Sequence, residues 1–355
     1  VASVTQEDPA STGPGGPEGS ARSRRALPGW REIGARIVAL REGSIIVITL
    51  VVAIYFSVNT SNFLTGGNLE TLLPYFAPFA ILAAGEVFVM ILGEIDLSIA
   101  AMYLFAPIMY YKLNTSVGLP LGLALIGALL ICLAVGVANG FFVSVLGINS
   151  FVTTLGTLFT FEGLSLIISK GTPVATPGGQ VPVGTFGKVF GAGTYSELIW
   201  AIAIVVLLQV VLTFTRWGLY TVAIGSNKLG AAEAGVRVNL VMIRNFMLCA
   251  LTAGLVGIFE AIRAQTVQPN PAGPNEILFF AVAAAVIGGT LLTGGSGTVV
   301  GALIGALFLG ILKDGLILQG VQANYLLFYT GLAVIVAMTA NVFVGRARRG
   351  RIGSG

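Results

Sequence analysis

Residues 215–245 read TRWGLYTVAIGSNKLGAAEAGVRVNLVMIRN, a polar interval between two long apolar runs that end near Phe214 and resume near Leu240. Four basic residues lie in it, Arg216, Lys228, Arg237 and Arg244. At its centre Lys228 to Val236 is predicted to form a short helix, with Ser226 or Asn227 as its cap and Gly235 where it stops. Glu233 precedes Arg237 by four residues, the favourable acid-first order on a helix. A short capped helix outside a bilayer, between apolar spans, is a handle for a soluble partner. The alternative is a solvated loop whose charges only fix topology.

Outward from this interval the chain is overwhelmingly apolar. Of 355 residues 55% are hydrophobic and only 10% charged, with a mean hydropathy of +0.92. A soluble globular domain carries roughly a quarter charged residues, so the composition implies one α-helical, polytopic membrane domain. Ten spans are predicted, at 43–58, 72–92, 97–111, 119–147, 151–169, 197–215, 241–263, 276–292, 298–319 and 323–344. Pro74 and Pro78 in the second and Pro107 in the third predict kinked or broken helices. The fourth exceeds what a bilayer needs and is expected to tilt or to carry its own turn. The first resembles a signal-peptide core in length, but no small-residue cleavage site follows it, so it reads as an uncleaved span.

Residues 1–28, rich in Pro, Gly and Ser, are expected to be a disordered tail, and Trp30 to Glu42 an interfacial helix. The membrane domain then covers 29–345, and 346–355 form a basic tail. Six basic residues at 22–41, the four at 216–244, and Arg346, Arg348, Arg349 and Arg351 make fourteen of the nineteen Lys and Arg. Ten spans place all of these on one side, which the positive-inside rule makes cytoplasmic together with both termini. The net charge of +4 lies at membrane edges and is not a nucleic-acid signal. Residues 127–156 (GALLICLAVGVANGFFVSVLGINSFVTTLG) echo 301–331 (GALIGALFLGILKDGLILQGVQANYLLFYTG), with Gly136, Gly140, Gly147 and Gly156 answering Gly310, Gly315, Gly320 and Gly331. The copies run in opposite senses through the membrane, as in an inverted repeat.

Chemistry is constrained as much by what is missing. There is no histidine, which removes His-based catalysis and His–metal sites and counts against a membrane-embedded enzyme. Cys132 and Cys249 lie inside apolar runs and read as small packing residues. No P-loop is present: the nearest Gly-Lys pair, Gly187-Lys188, is followed by Val. Glu86, Glu94, Asp96, Glu162, Glu260, Arg263, Lys313 and Asp314 fall in or beside spans, where each costs about 2.5–3.5 kcal/mol at the bilayer centre unless it faces protein or water. Glu260 and Arg263 are predicted to pair, whereas the adjacent Lys313 and Asp314 point different ways. No two carboxylates share a helical face, which counts against a proton relay. The motif Gly93-Glu94-Ile95-Asp96-Leu97-Ser98 joins the second and third spans and reads as a structural turn in preference to a substrate-binding site, with Asp96 or Ser98 capping the next helix. In the fifth span Ser150, Thr153, Thr154 and Thr157 recur at i, i+3, i+4 and i+7, followed by Thr160 and preceded by Asn149. That stripe predicts either a pathway for a hydroxyl-rich solute or interhelical packing. The outer loop 170–195 is too long to be only a turn.

Several stretches together resemble the permease subunits of ribose/xylose/fructose-type ABC importers: GEIDLSIA at 93–100, INSFVTTLGT at 148–157 with the following FEGLSLIISKGTPV, the Trp217–Val238 loop, and GGTLLTGGSGTVVGALIGA at 288–306. The similarity runs in order from about residue 44 to 344. It implies a homodimer of ten-span permeases in the bacterial inner membrane, embedded in lipid. It further implies a cytoplasmic ATP-binding subunit that holds ATP-Mg, an extracytoplasmic sugar-binding protein, and no cofactor on this chain. The family's coupling segment maps onto Ala231 to Val238, so Lys228, Ala231, Ala232, Glu233, Gly235 and Arg237 become the expected contacts with the ATPase. Glu94 stands where the family has a second glycine, and Ala100-Ala101 where Gly-Ser is usual. The function implied is ATP-driven import of a monosaccharide or polyol. The rival is an ion-coupled secondary transporter or facilitator, which would work without a partner.

Overall fold

The computed structural model describes residues 42–175, 184–270 and 272–352. The expected disordered tail at 1–28 and the interfacial helix up to residue 41 lie outside these residues. The chain is a bundle of helices: α1 (Gly43–Asn59), α2 (Gly66–Ile91), α3 (Ile99–Thr115), α4 (Leu121–Ser144), α5 (Ser150–Ser169), α6 (Ser196–Phe214), α7 (Arg216–Ser226), α8 (Lys228–Glu233), α9 (Val238–Ala264), α10 (Ala272–Ile287), α11 (Val299–Leu318) and α12 (Ala323–Ile352). The one sheet among the described residues is a two-residue antiparallel pair, β1 (Val174–Ala175) with β2 (Thr266–Val267), which ties the loop after α5 to the end of α9.

Six helices, α2, α4, α5, α6, α9 and α11, are long and apolar enough to cross a membrane, and 43–59, 275–287 and 323–339 are shorter apolar helices. Every predicted span coincides with a helix, within a few residues at most ends. The proline-bearing spans are not broken: α2 runs without interruption through 74 and 78, and α3 through Pro107. In α3, neighbouring helices surround the turn that loses a backbone bond at Pro107, so no break is forced. The fourth span is a single helix that stops at Ser144, and its expected extra length is the turn 145–149. The last helix continues to Ile352, past the boundary expected at 345.

Burial sorts these helices. From Phe76 to Ile91 every residue of α2 is buried, as befits a helix that is apolar all round and sits in the centre. Around it α1, α4, α5, α6 and α12 turn large apolar side chains outward, among them Val51, Leu130, Phe159, Ile199 and Phe328. Such a continuous apolar exterior suits hydrocarbon and not water. Inside, α9 packs most extensively on α4. A methyl group on Gly136 would lie 2.6 Å from the Met247 Cα, and one on Gly140 2.5 Å from the Ile243 Cα. Glycine at both places lets two backbones approach where no larger residue fits.

Candidate coupling segment and translocation path

The interval between α6 and α9 is built more firmly than its sequence predicted. Two helices fill it, not one. Thr215 ends α6 and starts α7, its hydroxyl accepting from the Gly218 N–H at 3.4 Å. Asn227 then caps α8, its side-chain oxygen accepting from the Gly230 N–H at 2.9 Å. Gly235 has φ +84° and turns the chain away, so the helix stops at Glu233, short of Val236. Because Arg237 lies beyond that turn, the predicted Glu233–Arg237 pairing is not formed. Lys228, Ala232, Glu233, Gly235 and Arg237 are exposed along with Leu229, while Ala231 is buried against α7.

One residue that the sequence did not single out fixes this segment to the bundle. Asn245, fully buried on α9, accepts from the Trp217 indole N–H at 2.6 Å and donates to the Phe88 carbonyl at 2.9 Å and the Thr221 hydroxyl at 3.2 Å. It thereby joins α7, α9 and α2. The Trp217 ring also packs on Phe88, with centroids 5.7 Å apart.

The turn 92–98 joins α2 to α3, and its bonding differs from the expected capping. Gly93 takes φ +80°. Asp96 accepts from the Ser98 N–H at 2.9 Å and the Ser98 hydroxyl at 2.5 Å. Ser98 itself does not cap α3. Three further N–H groups of the turn are taken by side chains: Ile95 by the Ser150 hydroxyl at 3.3 Å, Leu97 by the Thr154 hydroxyl at 3.1 Å, and Asp96 by the Glu86 carboxylate of α2 at 3.0 Å. The other Glu86 oxygen accepts from the Cys249 thiol at 2.9 Å, so that cysteine is more than filler. Glu94 is half-buried.

These bonds divide the hydroxyl stripe. Ser150 and Thr154 are buried supports of the turn. Asn149 is the N-cap of α5, accepting from Phe151 at 2.9 Å and Val152 at 3.4 Å. Thr153, Thr157 and Thr160 instead line a groove of about 750 Å³ between α4 and α5, together with Asn139, Phe142 and Phe161. Asn139 joins the two halves: it accepts from the Thr157 hydroxyl at 2.6 Å and donates to the Ser98 hydroxyl at 2.9 Å. Cysteines at Thr153 and Thr157 are therefore expected to react with a small polar thiol reagent in at least one transport state, and cysteines at Ser150 and Thr154 to stay protected. Equal labelling at all four positions would refute this division.

Glu260, Arg263, Lys313 and Asp314 all have polar partners. Arg263 bridges Glu260, as predicted, and also Glu197 at 3.2 Å. Lys313 pairs with Glu276 at 3.2 Å, whereas Asp314 accepts from the Asn68 side chain at 2.8 Å, so the adjacent pair does diverge. Glu162 is buried on α5, and its Oε1 has no hydrogen-bond partner among the described residues. Among the described residues no three His, Cys, Asp or Glu side chains come together as a metal site.

Residues 68–338 match the family described as the permease component of the branched-chain amino acid transport system. The chain is 34% identical to the xylose/arabinose import permease protein XylH of Sulfolobus acidocaldarius, over 88% of this chain and 87% of that protein. It is 33% identical to the ribose import permease protein RbsC of Escherichia coli, over 84% and 92% of the two. With the D-allose transport system permease protein AlsC of Escherichia coli it shares 29% identity over 86% and 92%. No solved structure matches the chain.

Proposed function

Since the chain belongs to this family of ABC-type transport permease components, we propose that it is the membrane subunit of an ATP-driven monosaccharide importer, working as a pair of copies. A separate cytoplasmic subunit hydrolyses ATP-Mg, and an extracytoplasmic binding protein delivers the sugar. The observation that carries the sugar assignment is the near full-length likeness to permeases named for xylose/arabinose and ribose. The groove itself is lined mainly by apolar side chains, with Thr153, Thr157 and Thr160 among them and no charged residue. The absence of a P-loop in the sequence favours ATP binding on another chain.

In this proposal the ten helices α1–α6 and α9–α12 all cross the bacterial inner membrane, with both termini, the turn 92–98, α7–α8 and the loop 288–298 on the cytoplasmic side. Exposed α8, with Lys228, Ala231, Ala232, Glu233, Gly235 and Arg237 in or beside it, docks on the ATPase. The groove lined by Thr153 and Thr157 belongs to the path between the two copies. The inverted repeat is supported by Gly147 and Gly320, matched in the sequence echo, which both turn the chain at positive φ, +70° and +78°.

Reconstitution tests the reading. The purified permease in liposomes is expected to show no ATP-dependent sugar uptake alone, and to gain it with its ATPase and binding protein. Concentrative uptake by the permease alone would sink the proposal.

A further inference from the structure

Three glycine-bearing turns, far apart in sequence, meet at the end of α2. The Ile91 carbonyl is one of the four at a helix end that have no partner within the helix; it accepts from the Gly295 N–H at 2.7 Å. A methyl group on Gly225, in the last turn of α7, would lie 1.7 Å from that same carbonyl oxygen and 2.7 Å from the Gly295 nitrogen. One on Gly294 would lie 2.8 Å from the Gly93 nitrogen, 3.0 Å from the Ile91 oxygen and 3.1 Å from the Gly225 oxygen. Three backbones are thus in direct contact, with no side chain between them to absorb a displacement. The loop 288–298 is itself held at its far end, where the Gln209 side chain of α6 accepts from the Val299 and Val300 N–H groups at 2.9 and 3.1 Å.

We infer that this junction of Gly93, Gly225, Gly294 and Gly295 is a rigid coupler, passing movement of α7–α8 to the buried turn 92–98. The inference rests on the reading of α8 as the ATPase-docking element. Close-packed backbones neither compress nor rearrange cheaply, so a push on α8 reaches Ile91 and Gly93 through α7 without loss in side-chain rotation. From there the hydrogen bonds already described lead onward. Glu86, one turn and a half before Ile91, holds the Asp96 N–H; Asp96 holds Ser98; and Asn139 ties Ser98 to Thr157 in the groove. Two positions biased by one discrete element is the physical requirement for coupling between distant sites. Gly225 is accordingly a positioning residue: it touches neither ATP nor sugar.

The test uses the complete reconstituted transporter and reads sugar imported per ATP hydrolysed. Gly225→Ala is expected to leave the complex assembled and its ATP turnover within about twofold of wild type, while import per ATP falls at least tenfold. Gly122→Ala, where an added methyl meets nothing within 4 Å, is the control. Unchanged import per ATP in Gly225→Ala overturns the inference. Should Gly225→Ala fail to assemble, the pair Ser226→Cys with Gly295→Cys decides. The Ser226 Cα lies 3.3 Å from where a Gly295 Cβ would sit, so side chains at the two positions are in direct contact. A coupler that moves as one body keeps at least half its reduced-state import after oxidation. Loss of import on oxidation, restored by reductant, would mean that the contact opens during transport, and the rigid coupler would be wrong. Ala232→Glu separates the two layers. Wild-type import there rejects the docking of α8 itself. An uncoupled Ala232→Glu beside a coupled Gly225→Ala rejects the junction alone.

Discussion

Ala232→Glu is expected to reduce ATP-dependent import at least tenfold, either by releasing the ATPase or by uncoupling its hydrolysis from transport, with membrane insertion unaffected. Ala232 is exposed on α8 beside exposed Leu229, which is 71% accessible, and it sits in ordinary helical backbone. A glutamate there alters the docking face without straining the fold. In a desolvated contact a new unpaired carboxylate costs several kcal/mol, ample for a tenfold loss at about 1.4 kcal/mol per decade. Gly235→Glu would be a less decisive variant, because φ +84° penalises any side chain by about 1–2 kcal/mol before docking is considered. Gly235→Ala isolates that backbone cost, since a methyl there meets nothing within 4 Å. Glu233→Ala should be mild, because Glu233 is exposed and lacks its expected partner Arg237. Import and ATPase stimulation in the reconstituted complex, with co-purification of the ATPase, measure all of these. Normal import by a well-expressed Ala232→Glu protein would remove α8 from the coupling interface.

What the sequence disclosed was what local chemistry determines. Asn227 as a cap and Gly235 as a stop were visible because both act within a few residues of themselves. Apolar run length located the helices well for the same reason. The 11-residue helix α7 was not visible: RWGLYTVAIGS is too short and too mixed to resemble a span, and Gly218 and Gly225 lower its helix propensity. They are points of contact, Gly218 with the Leu212 carbonyl and Gly225 with that of Ile91. Periodicity likewise put Ser150, Thr153, Thr154 and Thr157 on one stripe, but it could not say that half of the stripe would meet the turn 92–98 and half the groove. The Glu86–Asp96 contact joins α2 to the turn after it, so no single helical face displays it in the sequence. Asn245 could have been flagged as a lone carboxamide near the start of an apolar span, where polar side chains are costly unless bonded; nothing in the sequence named its partners.

Asn245→Leu is expected to lower the stability of the folded bundle by about 2 kcal/mol and to impair import strongly through α7. Leucine has as many side-chain heavy atoms and is the bulkier residue, so it leaves no cavity and the loss comes chiefly from hydrogen bonding. The part-buried Trp217 N–H would be left without its partner, at the low end of the about 1–3 kcal/mol that an unsatisfied donor costs. The bond to the Phe88 carbonyl adds a smaller amount, since interhelical hydrogen bonds in membrane proteins average about 0.6 kcal/mol. The partners make the argument testable. Trp217→Phe removes the orphaned donor while keeping a ring against Phe88, so the double variant Asn245→Leu/Trp217→Phe should recover about 1 kcal/mol relative to the sum of the singles. Equilibrium unfolding in detergent micelles, or the shift in thermal midpoint, reads the cycle. Strict additivity would show that the 2.6 Å contact contributes no net energy, and the attachment of α7 would then rest on the Phe88–Trp217 packing and the glycine junction. Import measured on the same variants adds the functional consequence: once α7 is unlatched from α9, a push on α8 is taken up by the loosened helix and the turn 92–98 stays where it is.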